Sequence, residues 1–126
     1  MAGSRRTPRD SDRLKGRLRN HARGDIAELY AELYFIAQGF WVARTMHSTC
    51  PYDLVVANEE GQINLIDVKT SYIRSRGKFA GYARRRARTP IQRKLGVALI
   101  YVDTETGEVT LTRKTRDLIF GMTRVV

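Results

Sequence analysis

Between residues 26 and 38 the apolar side chains return every three or four positions, at Ile26, Leu29, Tyr30, Leu33, Ile36 and Ala37, which is the period of a helix with one buried stripe. That pattern predicts an amphipathic helix whose core-facing stripe is centred on Leu29 and Leu33 and which Gly39 ends. The period then changes. Residues 40–44 are aromatic and β-branched and predict a first strand, and His47, Ser48, Thr49, Cys50 and Pro51 make a short polar loop. Residues 53–57 and 63–69 predict two further strands joined as a hairpin by Asn58-Glu59-Glu60-Gly61. From 75 to 93 the period is interrupted by Gly77, Gly81 and Pro90, which fits a basic loop with a short helix. The unbroken apolar run at 96–103 suits a strand buried on both faces, Gly107 turns the chain into a strand at 109–112, and Thr115 is placed to cap a last helix carrying Leu118, Ile119 and Phe120. An order α-β-β-β-(α)-β-β-α predicts an α/β fold, a mixed central sheet flanked by helices.

Composition narrows this picture. A chain of 126 residues, 42% hydrophobic, suits one folded domain. The longest apolar stretch, 96–102, is far below the roughly 20 residues that span a bilayer, and the first residues lack the apolar region of a signal peptide. One cysteine and two histidines exclude an internal disulfide and a zinc cluster. The expected setting is intracellular, the cytoplasm, with no membrane partner.

The net charge of +10 is unevenly spread. Residues 1–23 hold eight Lys/Arg against two Asp, residues 72–94 hold nine and no acid, and the remainder holds six against eleven acids. This partition predicts a basic N-terminal arm over 1–23 and a single domain over 24–126. The arm has the alternative reading of a solvated face or a disordered tail. Nine cations without an anion call for a polyanionic partner, and Tyr72, Phe79 and Tyr82 interleave with Arg74, Arg76, Lys78, Arg84, Arg85, Arg86 and Arg88, a mixture suited to base stacking and phosphate contact. Nucleic acid is the partner expected.

The acids of the central body are placed more pointedly. Asp67 and Lys69 stand two apart on a predicted strand and so share a face, with Ile66 and Val68 on the other. Asp53 opens the partner strand, where hairpin pairing can bring it beside Asp67. Two carboxylates next to an ammonium make a site for a hard cation, Mg²⁺ or Mn²⁺, with a lysine able to orient or deprotonate water. The bland alternative is a cross-strand salt bridge.

Pro51-Tyr52-Asp53 followed by Asp67-Val68-Lys69 resembles the signature of the PD-(D/E)XK nuclease superfamily, and the match is closest to archaeal-type Holliday junction resolving enzymes. Gly24, Glu28, Gly39-Phe40, Arg44 and Asp53-Leu54-Val55 follow that family's order at nearly its spacing, over residues 24–71. The resemblance implies a restriction-endonuclease-like core. It makes Asp53 and Asp67 metal ligands, Lys69 the catalytic lysine, Glu28 a helix-borne acid that helps hold the metal, with Glu32 in reserve, and Arg44 a phosphate contact. It also implies a loop hydroxyl from Ser48 or Thr49. Where Asp67 stands the family more often has Glu. The implied activity is Mg²⁺-dependent resolution of branched double-stranded DNA by a homodimer, with Mn²⁺ as substitute and no small-molecule cofactor. For the dimer surface, the run at 96–102 and the Leu118-Ile119-Phe120 segment are the two candidates. His47 fits a surface loop and Trp41 a core or dimer position. A sequence-specific nuclease of restriction or homing type and a non-catalytic nucleic-acid-binding module are the competing functions.

Overall fold

The first helix, α1 (Pro8–Ala37), is continuous in a computed structural model that describes the backbone of residues 8–71 and 87–119, with side chains at 19, 21–71 and 87–119. It begins far upstream of the periodic stretch. Arg, Lys, Leu and Ala are good helix formers whether or not they face a core, and a proline is tolerated in the first turn. Apolar periodicity follows burial, so it missed the part of the helix that has no stripe. The boundary expected at residue 23 therefore falls inside one helix.

Burial also corrects the expected stripe. Ala27, Ala31 and Phe35 face the core, with Tyr30 and Tyr34 packed at its edge, while Leu29 is 49% and Leu33 61% exposed. Both stripes satisfy a three-to-four period, and the one with small alanines wins because it lets the helix backbone lie close on the sheet. At its C-terminal end Gly39 takes φ 91°. Its N–H donates to Ile36 O (3.0 Å) and that of Phe40 to Phe35 O (3.0 Å), a Schellman ending with the Phe35 and Phe40 rings edge to face at 5.7 Å.

Five strands follow in one sheet: β1 (Trp41–Arg44), β2 (Leu54–Ala57), β3 (Ile63–Thr70), β4 (Ala98–Val102) and β5 (Val109–Thr110), hydrogen-bonded in that order. The first three form an antiparallel meander, β3 and β4 are parallel, and β5 returns antiparallel. The crossover between β3 and β4 contains α2 (Pro90–Leu95), and α3 (Arg113–Leu118) follows β5. The mixed sheet with flanking helices agrees with the expected α/β class.

Leu54, Val56, Ile66, Ile100 and Val102 are fully buried in the cluster that includes the inner face of α1. The opposite face of β3 carries Asp67 and Lys69. Leu54 pairs with Ile66, and a slip of one residue would bring Ile66 out and turn Asp67 inward. Burying an aliphatic side chain is worth about 1.5–3 kcal/mol, so these two residues hold the register on which the polar face depends.

Two details depart from expectation. Thr112, not Thr115, caps α3, and Thr115 lies one turn in, donating its N–H to Thr112 Oγ1 (3.1 Å). All five residues of β4 are buried in their own sheet and Ile119 joins the core, so β4 and Ile119 offer no broad dimer surface; Phe120 lies outside the described residues. No helix among the described residues is long and apolar enough to cross a membrane.

Candidate active site

Antiparallel pairing continues one step past Leu54 and Ile66, where Asp53 N–H donates to Ile66 O (2.8 Å). Asp53 thereby stands across from Asp67. Its Oδ2 accepts the Val68 N–H (2.8 Å), and from the β1 side Thr45 fixes its backbone, donating from Oγ1 to Tyr52 O (3.1 Å) and from its N–H to Asp53 O (3.0 Å). Asp67 is 6% exposed. Its Oδ2 lies 3.0 Å from Lys69 Nζ and accepts a second bond from Gln92 Nε2 (3.0 Å).

Glu28 approaches from α1, partly buried, near enough to Asp53 for the two carboxyls to interact. Burial pushes its pKa up, and Asp25 adds to the rise. Asp53 is pushed up to about 7, first by burial and then by its hydrogen bond to Asp67, with the charges of Asp67 and Glu28 adding to this and the Val68 N–H opposing it. Glu28 and Asp53 thus hold less negative charge than two free carboxylates would. A cation brought to Asp53 and Asp67 would take the place of the proton between them.

The donors are all oxygens, the set that suits Mg²⁺ or Mn²⁺ rather than a softer metal. Among the described residues no group of three or more His, Cys, Asp and Glu is gathered tightly enough to hold a metal ion as it stands. The candidate site therefore rests on the Asp53–Asp67 pair, which Glu28 meets through Asp53.

The remaining expected residues divide. Arg44 is at the end of β1 as expected, but its guanidinium is engaged by Glu32, Nε to Oε1 and Nη2 to Oε2 (2.7 Å). Glu32 is thus occupied as the partner of Arg44 rather than held in reserve for the carboxylate pair. Ser48 is exposed in the loop after β1, where His47 Nδ1 and Thr49 Oγ1 are 2.9 Å apart. Arg88 donates from Nη1 to Val97 O (3.4 Å). Arg74, Arg76, Lys78, Arg84, Arg85 and Arg86 lie outside the described residues.

Gln92 is the site residue that the sequence reading missed. It is 6% exposed, its Nε2 bridges Asp67 and Pro51 O (2.9 Å), and its Oε1 accepts the Thr89 N–H (2.9 Å). Thr89-Pro90-Ile91-Gln92 is a capping box with proline at the first helical position. That motif could have located α2 and Gln92 on it, though not the pairing with Asp67.

No family model matches the sequence, and neither does any curated protein. The solved structure of a bacterial homing endonuclease is similar to the chain at 22% identity with a TM-score of 0.48, over 69% of this chain and 59% of that one. The chain thus spans less than two thirds of that structure's length.

Proposed function

We propose that the protein is a metal-dependent endodeoxyribonuclease of PD-(D/E)XK type, acting on branched DNA such as four-way junctions. The observation that carries this reading is the meeting of Asp53, Asp67 and Lys69 at one end of the β2–β3 pair, with Glu28 delivered by α1. A simple salt bridge would need only Asp67 and Lys69. A second carboxyl raised to about 7 and a third raised beside it are a cost that an apolar or amide side chain would avoid, and perturbed carboxyls of this kind cluster where charge is used.

Asp53 and Asp67 would hold Mg²⁺, with Glu28 supporting Asp53. The chemistry the ion supplies when bound is Lewis-acid activation of the phosphate and of water. Lys69, held by Asp67 and one third exposed, orients the attacking water and sets a positive charge beside the phosphate as negative charge grows there. Gln92 keeps Asp67 in place. The cations of 1–23 and 72–94 bind the DNA backbone without reading sequence, and a two-fold homodimer would match the two strands that a four-way junction offers for cutting.

Incubating the protein with Mg²⁺ and either a four-way junction or a linear duplex of the same sequence tests this directly. Paired nicks on the junction alone are expected. Cutting of the linear duplex at one sequence would favour the restriction or homing alternative, and cleavage of neither would leave a binding module. Lys69→Ala should bind junction DNA almost normally yet cleave at least about a hundredfold more slowly, a loss of about 2.7 kcal/mol in transition-state stabilisation.

A further inference from the structure

On the face of the sheet that carries Asp67 and Lys69, strand β4 sets Leu99 beside Asp67 and Tyr101 beside Lys69 in parallel register. Such partners are about 4.8 Å apart and project to the same side. Leu99 and Tyr101 line a pocket of about 310 Å³, which is completed by Arg88 and Arg93 on one side and Thr112, Lys114 and Leu118 on the other. Arg88, Arg93 and Lys114 reach it, and no carboxylate is among its described lining residues.

The placement of these cations is fixed and leaves donors to spare. Arg88 gives one N–H to Val97 O and Arg93 one to Arg88 O (3.0 Å), which leaves most of the five donors each guanidinium carries. Gathering three cations around a partly apolar floor costs self-repulsion that an entering anion relieves. The ligand that answers both halves is a nucleotide: phosphate for the guanidinium forks and the ammonium, and a base set against Leu118 and the 5–6% of Leu99 and Tyr101 that stays exposed. The volume is at the small end for ligand pockets, which run from about 300 to 1,000 Å³. It suits one nucleotide and excludes a duplex.

We propose that this pocket receives one unpaired nucleotide of the substrate strand beside the scissile phosphate. The inference rests on the nuclease reading and sharpens its substrate class to DNA with a nucleotide released from the stack next to the cut, as at a branch point. A fully paired duplex could not fill the pocket without flipping a base out of its stack.

Binding of a 5′-phosphorylated trinucleotide containing 2-aminopurine, followed by fluorescence with chelator present, tests the pocket without reading cleavage. Wild type is expected to bind and quench the base. The doubly substituted Arg93→Ala/Lys114→Ala protein should bind at least tenfold more weakly, with a log-log salt slope shallower by about 1.4 for two lost phosphate contacts. Both positions are exposed, and unchanged thermal unfolding would show the fold intact. Arg113→Ala/Arg116→Ala removes the same charge from α3 at positions that do not line the pocket and should leave trinucleotide binding within twofold. Equal binding by wild type and the pocket variant, or an equal loss in the α3 control, overturns the proposal. A deoxynucleoside monophosphate that competes at equal concentration would identify a free-nucleotide site and overturn the strand assignment; a requirement for large excess supports it. Failure of the nuclease reading would appear as absent cleavage with the trinucleotide result intact, so the two can fail separately.

Discussion

Asp53 joins the site's electrostatics to the stability of the fold. Its pKa is pushed up to about 7 from the 3.8 of an ordinary aspartate, so the stability that protonation contributes is fully present below about pH 4 and is lost as pH rises through 7. Because the group is only half-buried, solvent screening discounts this effect to about 1–2 kcal/mol. Asp53→Asn should accordingly melt close to wild type near pH 4 and above it at pH 8, in scans without divalent metal. Adding Mg²⁺ at pH 8 should raise the wild-type midpoint and leave that of the Asn variant unmoved, and a shift of equal size in both would remove Asp53 from the ligand set. Gln92 is tested by the same scans. Gln92→Leu keeps the bulk but strips a donor from Asp67 and from Pro51 O, and an unsatisfied buried acceptor costs about 1–3 kcal/mol. The variant should also need about ten- to a hundredfold more Mg²⁺ for the same midpoint shift, as when a ligand's hydrogen-bond support is lost. Asp53, Asp67 and Lys69 could be brought together from the sequence because strand parity and a short hairpin are local rules. Gln92 could not, because its partner is 25 positions away across a segment with no readable period.

The element order from α1 to α3 was legible because each strand is bounded by a glycine, a proline or a change of period. What escaped was which face of α1 is inside. Periodicity weights large apolar residues and so selected Leu29 and Leu33, whereas close approach to the sheet selects Ala27 and Ala31. This gives a prediction at the level of helix packing. Ala31 is fully buried, and Ala31→Leu forces extra volume between α1 and the sheet, for an expected loss of about 1–3 kcal/mol in chemical denaturation. Ala37→Leu, at an exposed position of the same helix, should stay within about 0.5 kcal/mol. A neutral Ala31→Leu would mean that the helix sits farther from the sheet than described. The capping box at Thr89 was equally legible in principle, but in the chain it follows a long basic segment whose glycines hide any helical signal.

Over the whole molecule, the residues that misled the reading of α1 acquire a use. Ile26, Leu29, Leu33 and Ile36 are 40–61% exposed, and their spacing of three, four and three is that of a coiled-coil seam. Such a stripe is self-complementary about a two-fold axis, as a homodimer requires. It lies on the side of α1 away from the sheet, so pairing through it would leave the face with Asp67 and Lys69 open to DNA in both copies. Of the two stretches first considered, β4 is buried, and Leu118 and Ile119 pack on or in the core. If the protein works as a dimer on paired strands, α1 is therefore the element that should join the copies. Sedimentation equilibrium should find wild type dimeric at micromolar concentration and Leu29→Glu/Leu33→Glu monomeric, with thermal unfolding of that variant concentration-independent. The separated protein keeps both carboxylates and Lys69, so it should still nick one strand of a junction while losing paired cuts. A wild type that sediments as a monomer, or a Glu variant that remains dimeric, would remove α1 as the joint. Paired cutting by a proven monomer would go further and detach the proposed activity from dimerisation altogether, leaving Asp53, Asp67 and Lys69 of a single copy to act on each strand in turn.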